Sequence, residues 1–249
     1  MSPLLTSLIA FLCIFGGTFL GILLRTKLPG QHLSGDTKDI VRQGTGLIAT
    51  LASLVLGLLI ASANGKFEAQ SSQVVQLTAN VVLLDGTLKL YGPETAPVRA
   101  QLRREVVVMA GRIWHENNSG KAQTFEPADA GITLYSEILK LSPQTEAQRF
   151  LQARALDAIN DAGKTRLLLF TSGAGSIPTP FLIVLISWLT LIFASISLFA
   201  ESNARAIAIL CIFSLSATAS IFLILELSQP FSGLMMISDE GLRDALPAL

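Results

Sequence analysis

The chain has 249 residues, 51% of them hydrophobic and 14% charged, with a mean hydropathy of +0.56, a balance that excludes an ordinary soluble domain. Its 18 basic and 18 acidic residues cancel, and no long basic run occurs, so nothing in the charge pattern points to nucleic acid. Cys13 and Cys211 both fall in apolar stretches without the spacing of a disulfide framework or a metal site, and they read as small hydrophobes.

The run from Pro3 to Leu24 carries no charge and reaches the roughly 20 residues that a helix needs to cross the hydrocarbon layer. It lacks the basic front end and small-residue cleavage site of a signal peptide, so a permanent helix is expected. Its Gly17 and Gly21 form a GxxxG pair, a pattern of close helix packing. A polar loop from Arg25 to Gln43 follows, and then a second uncharged run, Gly44 to Gly65. Phe67, Val74, Leu77, Val81, Leu84, Leu88 and Tyr91 continue at helical spacing. No Pro occurs between Arg42 and Gly92, which predicts one rod of about 45 residues, roughly 65 to 70 Å long, with Gly65 and Gly86 as its weak points. Gly92, Pro93 and Pro97 end it.

Val98, Leu102, Val106, Met109 and Ile113 predict a second amphipathic helix that folds back on the first. The stretch from Glu116 to Glu126 reads as a loop, and Pro127 opens a shorter helix through Ile132, Tyr135, Ile138 and Leu139. Ser142 followed by Pro143 predicts the next helix start, which carries Phe150, Leu151, Ala155, Ile159 and Ala162. Gly and Pro residues between Thr171 and Thr179 break the chain ahead of two more uncharged runs, Pro180 to Ala200 and Ala206 to Leu225. Gln229 to Gly233 reads as a turn that returns the tail along the membrane surface, and Ser238 as the cap of a short helix to Leu246.

No stretch alternates as a strand would. The expected fold is therefore an all-α integral membrane protein with four transmembrane helices and a helical extramembrane domain inserted between the second and third spans. The expected domains are residues 1–65 (spans one and two), 66–178 (extramembrane), 179–227 (spans three and four) and 228–249 (tail). Arg25, Lys27, Lys38, Arg42 and Arg205 lie in the short loops, which tilts the charge rule towards short loops in the cytoplasm and the central domain outside.

Enzyme signatures are missing. His32 and His115 fall on opposite membrane faces in this topology, so they offer neither a metal pair nor a Cys-His dyad. The segment Ser172-Gly173-Ala174-Gly175-Ser176 lacks the Lys of a nucleotide-binding loop and reads as a linker, and Asn117-Asn118-Ser119 is a glycosylation pattern common by chance. No enzyme activity, cofactor or metal is expected. No Asp, Glu, Lys or Arg lies at mid-membrane depth, which argues against a proton pump, a voltage sensor or an ion-coupled carrier.

The second span carries Gly46, Thr50, Ser53, Gly57, Ala61 and Asn64 at steps of three or four, a stripe of small and weakly polar residues beside Leu47, Leu51, Leu54, Leu58 and Leu59. Two readings stand: a packing seam, because small residues let backbones approach, or a pore wall with Asn64 as a polar ring at its mouth. Ser187, Thr190, Ala194 and Ser197 make a comparable stripe on the third span. At the membrane border, charged residues such as Asp36, Asp39 and Glu201 read as interfacial anchors, while Glu226, ahead of Pro230, Phe231 and Gly233, is the acidic group to watch.

Leu28-Pro29 with His32-Leu33, Gly44-Thr45-Gly46, Leu56-Gly57-Leu58-Leu59, Phe67, Tyr91, Trp114 and Pro230-Phe231-Ser232-Gly233 together resemble the bestrophin-like domain proteins, a mainly bacterial family. The resemblance covers nearly the whole chain. It implies a four-span protein of a bacterial inner membrane, related to pentameric ion channels whose second membrane helix lines the pore. The run of aromatics of a bestrophin neck and the acidic cluster of its calcium clasp are absent here, so calcium gating and anion selectivity are not implied. The expected function is a homo-oligomeric, pentamer-like ion channel, with the lipid bilayer, further copies of the chain and small inorganic ions as partners. The alternative is a non-conducting scaffold or signalling protein whose helical domain docks a partner.

Overall fold

The computed structural model describes residues 2–27, 35–114, 129–173, 179–200 and 203–248. Every regular element among them is helical: α1 (Pro3–Lys27), α2 (Gly35–Tyr91), a 3-10 turn (Pro93–Thr95), α3 (Ala96–Trp114), α4 (Asp129–Leu139), α5 (Glu146–Gly173), α6 (Thr179–Phe199), α7 (Ala204–Leu227) and α8 (Glu240–Ala248). Four helices, α1, α2, α6 and α7, are long and apolar enough to cross a membrane.

Helix α2 runs for 57 residues, longer than the rod expected, and it passes through Gly65 and Gly86 without a break. The extra length lies at its start. Lys38, Asp39 and Arg42, expected in a loop, sit on its first turns, because no Gly or Pro between residues 38 and 43 opposes a helix and charged side chains there stay exposed or half-buried. Its end is set by Gly92, whose φ of 146° suits only glycine. The Thr95 hydroxyl donates to the Leu88 carbonyl at 2.6 Å or the Gly92 carbonyl at 2.8 Å, shielding the helix terminus where it is buried.

One start signal is corrected. Helix α5 begins at Glu146, not after Ser142-Pro143. Thr145 is the cap, its hydroxyl accepting the Gln148 amide at 3.1 Å while Gln148 Oε1 accepts the Gln144 amide at 2.8 Å, so a Thr-x-x-Gln capping pattern outcompetes the Ser-Pro pair. At the tail, Ser238 does accept the Glu240 amide at 3.1 Å. Pro127 lies outside the described residues, and the helix expected from it is seen from Asp129.

The chain divides into two compact units, Met1–Lys66 with Ser176–Ser228, and Phe67–Gly175 with Gln229–Leu249. In the first, α1 packs on α6 and α7 around Ala10, Ile14, Leu185, Ile192, Phe193, Leu210 and Ile221. The glycine pair is the seam. A Cβ on Gly17 would stand 2.6 Å from the Thr190 carbonyl oxygen, and one on Gly21 would press on Ser197 and the Ala194 carbonyl, so Thr190, Ala194 and Ser197 of the third-span stripe form the other half of it. Arg25 donates from Nη1 to the Ala200 carbonyl just beyond the end of α6.

In the second unit, the stripe Val74, Leu77, Val81, Leu84 and Leu88 of α2 packs with Val98, Leu102 and Val106 of α3, Leu134 and Ile138 of α4, and Ala155 and Ile159 of α5. Asp85 and Arg99 close this core from the side as a two-pronged ion pair, at 2.6 and 2.8 Å. The hydrogen bond to Asp85 raises the Arg99 pKa further above its ordinary range, against the opposing effect of burial.

Candidate functional site

Helix α2 separates its membrane-length part into three faces. Ala52 and Ala63 are buried at 3% and 2% exposure, and Ile48, Ala49, Leu56 and Leu59 lean on the core that Ala52 enters. This is the face turned to the rest of the chain. Leu47, Leu51, Leu54 and Leu58 form a second, exposed face. The third holds the six small residues. At about 100° per residue they fall within an arc of about 80°, and Gly46, Thr50, Ser53, Gly57, Ala61 and Asn64 are all exposed.

A Cβ on Gly46 or Gly57 would meet nothing within 4 Å. The contrast with Gly17 and Gly21 is direct: on α1 the small residues admit a neighbouring backbone, and on α2 no part of the described chain uses the space they leave. The Thr50 and Ser53 hydroxyls donate to the Gly46 and Ala49 carbonyls of their own helix, at 3.0 and 2.8 Å. Their protons are thus occupied, and their oxygens remain able to accept a hydrogen bond or face a cation.

The small face does not run on into the apolar stripe from Phe67 to Tyr91, because the small residues are exposed whereas Val74, Leu77, Val81, Leu84 and Leu88 are buried. The apolar stripe faces the chain's own core.

Of the border residues, Pro230, Phe231 and Gly233 belong to an anchor of the tail. Glu226 is 3% exposed on the last turn of α7. Pro230 and Phe231 are buried, and Gly233 takes a φ of 97° at the turn. The Pro230 carbonyl accepts the Ile237 amide at 2.7 Å. Phe231 meets Trp114 edge to face, with ring centroids 5.7 Å apart, and Trp114 Nε1 donates to the Ile237 carbonyl at 2.8 Å. Phe231, Ile237 and Leu242 thereby enter the core formed by the central helices. In the sequence Trp114 and the Pro-Phe-Ser-Gly turn stand as separate motifs; a buried Trp needs a partner for its N–H, and that need is the signal that links them.

His32, His115, residues 117–119, residues 174–176 and Glu201 lie outside the described residues. Among the described residues no group of three or more His, Cys, Asp or Glu could hold a metal ion.

A family model, the bestrophin-like domain, matches residues 12–242. Among solved structures, the crystal structure of a mutant of a bacterial bestrophin homologue from Klebsiella pneumoniae is similar, with a TM-score of 0.65 at 14% identity, over 96% of this chain and 98% of that one. At that identity the likeness is one of fold. No curated protein matches the chain.

Proposed function

Since the chain belongs to the bestrophin-like domain family, we propose that it is a membrane ion channel assembled from identical copies, pentamer-like, with α2 lining the permeation path. The observation that carries this reading is the exposed small-residue face of α2. Hydrocarbon makes no demand for small residues, since lipid tails accommodate leucine equally well. Small side chains are required where a backbone or a water column must come close, and among the described residues nothing does so at Gly46 or Gly57. A face shared among copies around an axis meets that requirement, with the Thr50 and Ser53 oxygens able to face a hydrated ion and Asn64 on the same exposed face. In this arrangement residues 66–178 form the extramembrane domain and the short loops face the cytoplasm. The membrane is a bacterial inner membrane, as the family resemblance implies.

The test is conductance of the purified protein in planar bilayers. Discrete current steps are expected. Asn64→Asp adds a negative charge per copy and should shift the reversal potential towards cation selectivity under a salt gradient, and Asn64→Lys should shift it the other way. Conduction indifferent to both substitutions would place Asn64 off the path. A purified oligomer that carries no current would instead support the second reading, a scaffold whose small faces pack shut.

A further inference from the structure

The second unit contains a cavity of about 630 Å³ that no part of the channel reading uses. Its apolar lining includes Leu84, Leu102, Met109, Leu134 and Ile159, and its polar lining Gln101, Arg104, Glu105, Arg112 and Arg166. A volume in this range suits a small organic molecule. Three guanidinium groups against one carboxylate make the polar lining cationic.

Arg166 is the telling residue. Its Nε is shielded from solvent and has no hydrogen-bond partner, while its guanidinium carbon lies 5.7 Å from the centroid of the Phe170 ring. A shielded donor without an acceptor is costly, and an incoming oxygen would supply the missing bond. The surroundings weigh on the charge as well. Burial, and then the neighbouring Arg112, lower the Arg166 pKa, with Glu105 opposing them. Burial likewise pushes Glu105 up, against the Gln101 hydrogen bond and the charges of Arg166 and Arg104. Partial burial thus weighs on the charge of both groups, and the lining holds more positive groups than negative ones.

We propose that this cavity binds an organic carboxylate with a compact apolar body, the carboxylate meeting Arg166 after a modest turn of that side chain and the body lying against the Leu, Met and Ile lining. The planar fork of arginine matches the two oxygens of a carboxylate. The apolar lining, which phosphate has no surface to cover, favours an organic carboxylate over inorganic phosphate. The site stands on the second unit alone and holds whether or not the protein conducts.

The test uses the full chain in nanodiscs of zwitterionic lipid, titrated calorimetrically with empty nanodiscs as the blank. The probes are 2-naphthoate, the uncharged naphthalene-2-methanol, and inorganic phosphate. Saturable binding of 2-naphthoate is expected, at one site per chain and at least tenfold tighter than the alcohol or phosphate. Arg166→Gln should weaken it at least tenfold and Glu105→Gln should tighten it. Gly163→Phe is the variant that protects the test from misfolding: Gly163 lines the cavity, a Cβ there would meet nothing within 4 Å, and replacing a helical Gly does not oppose the helix. It should abolish binding with the thermal transition retained. The proposal is overturned by an absence of saturable 2-naphthoate binding, by equal affinity for the alcohol or for phosphate, or by a folded Gly163→Phe protein that binds as before.

Discussion

Gly21→Ala measures how tightly the first unit is built. Ordinary van der Waals contact begins at 3.4 Å, and a Cβ on Gly21 would stand only 3.1 Å from the Ala194 carbonyl carbon and closer still to its oxygen and to Ser197 Oγ. Ser197 is fully buried, and its hydroxyl is committed to the Phe193 carbonyl at 2.8 Å or the Ala194 carbonyl at 3.0 Å. Neither neighbour can swing aside cheaply. The added methyl group therefore forces α1 and α6 apart along the whole seam, and overpacking of this kind costs about 1 to 3 kcal/mol. Gly17→Ala meets the Thr190 carbonyl oxygen at 2.6 Å, 0.8 Å short of ordinary contact, and should cost less than Gly21→Ala. Gly16→Ala, whose Cβ meets nothing within 4 Å, is the control and should be neutral or slightly stabilising through helix propensity. Equilibrium unfolding of the purified protein in mixed detergent micelles orders the three. If Gly21→Ala unfolds at the same denaturant fraction as Gly16→Ala, the seam is not where the geometry puts it.

Arg99→Met should destabilise the second unit by about 3 to 5 kcal/mol, since it leaves Asp85, with a side chain 6% exposed, charged and unpaired; the double replacement Asp85→Met with Arg99→Met should recover most of that loss in thermal unfolding. Trp114→Phe removes the donor to the Ile237 carbonyl and should cost about 1 to 3 kcal/mol, read as faster hydrogen exchange of the tail amides than in wild type. In a background without Cys13 and Cys211, Thr50→Cys should form disulfides between copies, whereas Leu54→Cys, on the neighbouring face, should do so less. Gly57→Leu should silence conductance while leaving the oligomer intact on a sizing column; an oligomer that dissociates would point to a packed seam.

The sequence by itself determined the helical class and the four membrane-length helices, because uncharged runs of about 20 residues have no other stable state in a bilayer. It also marked Gly17 and Gly21 as a packing pair and the six small residues of α2 as a stripe. What it could not do was tell those two patterns apart, since both are small residues at helical spacing. Tertiary structure decided it: Thr190, Ala194 and Ser197 arrive against one, and none of the described residues arrives against Gly46 or Gly57 of the other. The same is true of the second unit. Arg166, Arg112 and Arg104 stand on two helices distant in sequence, and only the packing of α5 against its neighbours gathers them with Glu105 around one cavity. Trp114 and Ile237 are 123 residues apart, too far for any periodic pattern to connect, and the buried indole N–H finds its acceptor only when the tail folds back onto α3. Local periodicity reports which face of a helix is distinctive; which neighbour meets that face is set by long-range packing, and a single sequence does not contain it.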